Sequence, residues 1–196
     1  GLETFLLTED PEKIFLTTDH PNGAPFTSYP HLIKLLMDKT FRDDLLDQMS
    51  IDISEHTILK DIKREYTLSE IATMTRSAPA KILGLTNKGS LSINSDADIT
   101  VYDSTIKDIE EMFAKPTHVI KDGNVVVKNG VIKDYVWGKT QVVRPEYDLS
   151  FEKKLKKYFD KYHTIGLSNY MISNDEMSEI IGSDVNIIDC SRKRIS

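Results

Sequence analysis

Residues 14–25 read IFLTTDHPNGAP, an uncharged apolar run that ends at a carboxylate and an imidazole. The β-branched and aromatic residues of 14–18 predict a buried β-strand. The two prolines and the Asn-Gly pair of 21–25 end that strand and supply backbone positions that tolerate positive φ. The stretch therefore predicts a strand followed by a tight turn, with Asp19 at the carboxyl end of the strand.

The composition around this stretch is that of a globular chain. Of its 196 residues 39% are hydrophobic and 29% are charged, which is enough to bury a core. The net charge of −6 argues against broad binding to nucleic acid. One cysteine excludes an internal disulfide and fits a reducing compartment, so a cytoplasmic location is expected. Every apolar run is too short for a membrane span.

Helical patterns occupy most of the sequence before residue 86. A capping-box sequence, Thr67-Leu68-Ser69-Glu70, predicts a helix start. Pro79 opens a further turn of helix, which Gly84 ends. The remaining predicted helices of this part follow residue 28 and cover 40–49.

The pattern changes to short strands after Gly89. Asp122-Gly123 lies between two apolar runs and predicts a hairpin, and Asn129-Gly130 predicts a second tight turn. The result is an antiparallel meander, in which residues 137–143 are a further candidate strand. A helix is predicted for 151–162, with aromatic residues on one face and lysines on the other. No structure is assigned to the last thirty residues.

Asp19 is the best candidate for chemistry on residue type and position. Ligands collect at the carboxyl ends of strands in α/β folds, where a carboxylate binds a metal or acts as a base. The alternative is that Asp19 caps the following turn. His20 points to the opposite face in an extended chain and is better explained as a turn residue. Asp96 and Asp98 are either an acid/base pair or, more simply, solvated or turn-capping groups.

Three segments resemble the amidohydrolase superfamily: PAKILGL at 79–85, KGSL at 88–91 and DADITVYD at 96–103. In that superfamily such a stretch leads from the last helices of a (β/α)8 barrel into a small β-sandwich. The hairpin VIKDGNVV at 119–126 is similar to its closing strands. The resemblance implies an α/β fold made of the barrel end at 1–86, a β-sandwich portion at 87–145 and a C-terminal helical extension at 146–196.

The opening stretch, continued through residue 30, resembles the A-subunit family of formylmethanofuran dehydrogenases, as does YTLSEIA at 66–72. The resemblance implies reversible, zinc-dependent hydrolysis of formylmethanofuran to formate and methanofuran. It implies that Asp19 ends the eighth barrel strand as metal ligand and general acid/base, with His20 and Asn22 as substrate contacts. Its implied partners are subunits that carry a molybdenum or tungsten pterin and iron-sulfur clusters.

The other ligands of the implied dinuclear zinc centre have no counterpart in the sequence. They are a His-x-His pair, a carboxylated lysine and further histidines, and His31, His56, His118 and His163 show no ligand spacing. We therefore expect a C-terminal fragment of a longer polypeptide that is inactive alone and that self-associates to cover apolar surface. Two alternatives stay open: another amidohydrolase, such as a dihydroorotase-like cyclic amidase, or a non-catalytic docking module.

Overall fold

A computed structural model describes residues 1–49, 55–181 and 185–190 of the chain. They form two compact units, Gly1–Val136 and Trp137–Ser196. The domain boundaries expected after residues 86 and 145 rest on the family resemblance and stay a prediction. Residues 50–54, which follow the helix predicted over 40–49, lie outside the described residues.

Helices pack around the apolar core of the first unit. Leu6, Leu36 and Met74 are at most 2% exposed and form the centre of this core. The helices predicted after residue 28 and over 40–49 are confirmed, since apolar residues recur on one face of each. The bounds are α1 Leu2–Leu7, α2 Tyr29–Met37, α3 Lys39–Asp47, α4 Leu68–Ala72, α5 Ala78–Ile82 and α6 Ile109–Ala114.

Helices α4 and α5 are joined by a π-helical turn, Thr73–Ser77. Inside a regular helix the ring of Pro79 would clash with the carbonyl four residues before it, which belongs to Thr75. The wider π turn accommodates this proline without ending the helix. The helix ends at Ile82, and Gly84 with φ +70° follows its C-terminal cap, as the sequence predicts for a glycine that stops a helix.

The first unit also contains a four-stranded antiparallel sheet with the order β1-β2-β3-β4. Asp122 and Gly123 both have positive φ and join β2 to β3, so the predicted hairpin is confirmed. An α/β fold with an antiparallel sheet is thus confirmed, whereas the barrel end and the β-sandwich stay predictions. The strands are β1 Ile99–Val101, β2 His118–Lys121, β3 Asn124–Lys128 and β4 Val131–Ile132.

In the second unit, β5 (Gln141–Pro145) pairs in parallel with β6 (Asn186–Cys190). The candidate meander strand at 137–143 is therefore wrong in its pairing, because this strand bonds to a partner about forty residues further along the chain. Helix α7 (Ser150–Tyr162) confirms the predicted amphipathic helix, and α8 is Asn174–Ile181. None of the described helices is long and apolar enough to cross a membrane.

Candidate functional site

Residues 14–18 lead to Asp19 in extended conformation, but the prediction of a buried β-strand is wrong in its pairing. Among the described residues no strand bonds to this segment. The β-branched residues favour extended backbone, yet a strand exists only through a partner. The side chains alternate as in a strand: Ile14 and Leu16 pack on the helical core, whereas Phe15 is 42% exposed.

This alternation places Asp19 on the open side of the segment. Thr18, its neighbour on the packed side, is buried, whereas Thr17 and Asp19 are exposed together with Phe15. One face of the segment thus rests on helices while the other presents a carboxylate. In (β/α)8 barrels the catalytic residues lie at the carboxyl ends of the strands, which is the position that the family resemblance implies for Asp19.

A tight turn fixes the backbone of Asp19. The residue has φ +51°, in the left-handed region that non-glycine residues rarely adopt. Its carbonyl oxygen accepts a hydrogen bond from the Gly23 amide at 2.9 Å, and the Thr18 carbonyl oxygen accepts one from Ala24 at 2.8 Å. Its own amide donates to the Thr17 hydroxyl at 3.4 Å. Asp19 is therefore held by its backbone while its carboxylate faces outward.

His20 and Asn22 lie in the same turn and have different surroundings. The His20 ring stacks on Phe26, with a centroid distance of 4.0 Å and an angle of 24° between the rings. Asn22 is exposed, and its side chain makes no hydrogen bond within the described part of the chain. The structure thus brings Asp19, His20 and Asn22 onto one turn, with Asn22 the least constrained of the three.

A zinc ion does not fit the described residues as they stand. Zinc sites take three or four protein ligands. Asp19 supplies one carboxylate, and the neighbouring imidazole is stacked on Phe26. Within the described ranges no group of three or more His, Cys, Asp or Glu side chains could hold a metal ion. Among the described residues this turn therefore offers fewer than the three or four ligands that a zinc site takes.

The second acidic candidate, Asp96 with Asp98, is part of a structural ion network. Lys88 donates to Asp96 at 2.7 Å and to Asp98 at 2.8 Å, and Lys121 also donates to Asp98. Burial alone would raise the pKa of Asp98, but hydrogen bonds from Lys121, Lys88 and the Asp122 amide together hold it well below its usual range. Both carboxylates are thus paired with lysines, which favours the structural alternative over an acid/base pair.

Sequence reasoning missed a cavity of about 300 Å³ on the packed side of the extended segment. Leu16, Arg76 and Tyr102 line it, and Arg76 lies in the π turn. Residues that meet there are distant in sequence, so no local pattern indicated them. Pro79 was the sequence feature that indicated the irregular turn in which Arg76 lies, because a proline within a helical pattern marks such a turn.

Comparisons with known proteins give close relatives. Residues 3–127 match the amidohydrolase family. The chain is 39% identical over 183 residues to the A subunit of the Fhc formyltransferase/hydrolase complex of Methylorubrum extorquens, and 40% identical over 186 residues to protein FwdA of Methanocaldococcus jannaschii. These alignments cover 93% and 89% of this chain but only 33% of each relative.

A solved structure agrees with these relatives. The fold is similar to a chain in the crystal structure of the FhcABCD formyltransferase/hydrolase complex from M. extorquens with methylofuran, with a TM-score of 0.76 and 38% identity. The likeness covers 96% of this chain and 34% of that one, so the chain spans about one third of the relatives' length. The family match covers more than half of the sequence, and the chain belongs to the amidohydrolase family.

Proposed function

We propose that this chain is part of a larger polypeptide that reversibly hydrolyses the formyl amide of formylmethanofuran, giving formate and methanofuran. The observation that carries the proposal is the identity of about two residues in five to the Fhc protein and to FwdA, over nearly the whole chain. The exposed Asp19 at the end of a segment packed on helices supports it.

In this proposal Asp19 is the general acid/base. Its carboxylate accepts a proton from the water that attacks the formyl carbon. It then returns that proton to the amine nitrogen as the carbon–nitrogen bond breaks, so that formate and the free amine are released. The reverse reaction uses the same transfers in the opposite order. His20 and Asn22 are the proposed substrate contacts on the same turn.

Asp19 is also proposed as a ligand of the dinuclear zinc centre that the family resemblance implies. The described residues do not fit a complete centre, so the proton transfers are attributed to the carboxylate alone. The other ligands would come from residues beyond those of this chain. The chain alone is accordingly expected to be inactive, and a tight stoichiometric zinc signal in it would contradict that expectation.

Two kinds of complex are candidate partners. One is a formylmethanofuran dehydrogenase, whose other subunits carry a molybdenum or tungsten pterin and iron-sulfur clusters. The other is a formyltransferase/hydrolase complex, which the names of one relative and of the similar structure favour. Purification from the native cell, followed by metal analysis for molybdenum, tungsten and iron, separates them. A cytoplasmic location fits both.

Formate release is the test of the proposed activity. The protein that contains this chain, at its natural length and with its native partners, is incubated with formylmethanofuran and, separately, with dihydroorotate. We expect formate from the first substrate and no turnover of the second. Turnover of dihydroorotate alone would favour the cyclic amidase alternative, and absence of both activities would favour a non-catalytic docking module.

A further inference from the structure

The backbone conformation of the turn at residues 19–24 is unusual, and the proposed reaction does not by itself require it. Asp19 adopts a left-handed backbone conformation, although it is not glycine. Aspartate is among the few non-glycine residues that adopt this region, and it does so in turns whose closure is supported by neighbouring contacts. Two contacts of this turn support the left-handed conformation of Asp19.

Gly23 supplies one such contact. Its amide donates to the Asp19 carbonyl oxygen at 2.9 Å, which closes the turn. A Cβ atom at this position would lie 2.5 Å from the Thr18 carbonyl oxygen and 3.2 Å from the Asp19 Cβ. The first of these distances is shorter than real Cβ contacts. Any larger residue at position 23 would therefore displace the backbone of the turn that carries Asp19.

The stack of His20 on Phe26 is the second contact. The two rings lie 4.0 Å apart at an angle of 24°, which joins the residue after Asp19 to the 3₁₀ turn Phe26–Ser28. Stacked rings of this kind contribute beyond the area they bury. The backbone of Asp19 is thus followed by a closed turn and by an imidazole that stacks on Phe26.

We propose that Gly23 and the His20–Phe26 ring pair are positioning groups, which hold the Asp19 carboxylate in the orientation that the reaction needs. This inference rests on the proposed function. It adds the support of Asp19 to the substrate contact proposed for His20, and it leaves the proposed role of Asn22 unchanged. A misplacement of about 1 Å costs an enzyme about 100-fold in rate, so small displacements are measurable.

The test uses the complete protein with its native partners and measures kcat and KM for formylmethanofuran. The variants are Gly23→Ala, Phe26→Ala and Phe26→Tyr, with Asp19→Asn in parallel. Gly138→Ala is the matched control, because a Cβ at Gly138 meets no atom within 4 Å. The expected result is a kcat lowered about 100-fold by Gly23→Ala and about tenfold by Phe26→Ala, each with little change in KM. Phe26→Tyr retains the stack and the rate.

Two results would overturn the inference. One is a folded Gly23→Ala variant with wild-type kcat; the other is a Phe26→Tyr variant as slow as Phe26→Ala. If thermal melting shows that Gly23→Ala does not fold, the two Phe26 variants decide. If Asp19→Asn is inactive and Gly23→Ala is active, the positioning role is contradicted and the proposed function is not. An active Asp19→Asn removes the proposed function itself.

Discussion

Arg42 is a charged residue buried in the first unit, with 1% of its surface exposed. Its guanidinium donates to the carbonyl oxygen of Leu35 at 2.7 Å and to those of Ile62 and Arg64 at 3.2 and 3.1 Å. These carbonyls belong to α2 and to the loop before α4. The side chain therefore joins a helix to a segment that has little regular structure of its own.

Replacement of Arg42 by methionine is expected to lower the free energy of unfolding by about 3 kcal/mol, because three partly buried carbonyls lose their charged donor. The matched control is Arg76→Met, since Arg76 is exposed. Within the described structure its guanidinium makes one hydrogen bond, to the carbonyl oxygen of the adjacent Thr75. Urea unfolding of both variants provides the measurement. Equal midpoints for the two would show that Arg42 has no structural role.

Asp98 predicts a dependence of stability on pH. Its folded pKa lies below the unfolded value because its hydrogen bonds outweigh the effect of burial. The stabilisation is therefore present above the unfolded pKa of about 3.9 and is lost as the pH falls toward the folded pKa. In Asp98→Asn we expect a smaller fall in unfolding free energy between about pH 5 and pH 2.

Asp44→Asn is the control for that experiment. Asp44 is exposed on α3, and its carboxylate makes no hydrogen bond in the part of the chain that the structure describes. Its replacement should leave the acid limb of the stability curve as in the wild type. If Asp98→Asn and Asp44→Asn gave the same curve, the network with Lys88 and Lys121 would not be the source of the effect.

At the scale of elements, helix α4 begins at a capping box. Thr67 accepts from the Glu70 amide at 3.3 Å, and the Glu70 carboxylate accepts from the Thr67 amide at 2.8 Å. The pKa of Glu70 is lowered most by the hydrogen bond from the Thr67 backbone amide and next by the hydrogen bond from the Arg64 side chain. Because the two residues of this contact lie within four consecutive positions, the sequence alone predicted the capping box.

Thr67→Ala should destabilise the protein by about 1 kcal/mol, since one amide at the helix start loses its acceptor. Thr67→Ser retains the hydroxyl and should stay within a few tenths of a kcal/mol of the wild type. Thermal unfolding of the two variants measures the difference. A serine variant as unstable as the alanine variant would exclude the cap as the cause.

The other elements show which features local sequence can predict. The Asp122-Gly123 hairpin is confirmed because its residues tolerate positive φ between two apolar runs. The pairing of β5 with β6 joins residues more than forty positions apart, and no local pattern reports that. Residues 14–18 favour extended backbone, but a strand partner is a property of the fold.

The candidate site divides in the same way. The position of Asp19 at the end of an apolar run was predicted from the pattern, and the family resemblance supplied its proposed role. Its left-handed backbone and the stack of His20 on Phe26 depend on how the turn closes in three dimensions. Those features became visible only in the structure.

At the scale of the whole molecule, the chain divides into two units, with the boundary in the sequence between Val136 and Trp137. The family match at residues 3–127 lies entirely within the first unit. We expect limited proteolysis to cut near residues 137–140 before it cuts elsewhere in the described ranges, because these residues belong to no helix or strand. A first cut inside the sheet of β1–β4 would contradict the division.

Self-association of the isolated chain remains a prediction at this scale. Exposed apolar side chains such as Leu91 and Ile93, which are 81% and 94% exposed, favour it. Size-exclusion chromatography with light scattering measures the mass directly. A monomer at every concentration tested would count against self-association.

The proposed role of Asp19 is tested most directly by the rate of formate release from formylmethanofuran by the complete protein, compared between Asp19→Asn and Asp44→Asn. We expect Asp19→Asn to lose activity by at least about 100-fold, because the proposed general acid/base is removed. Asp44→Asn should retain the wild-type rate. Formate release by Asp19→Asn at a rate comparable to that of Asp44→Asn would contradict the central claim.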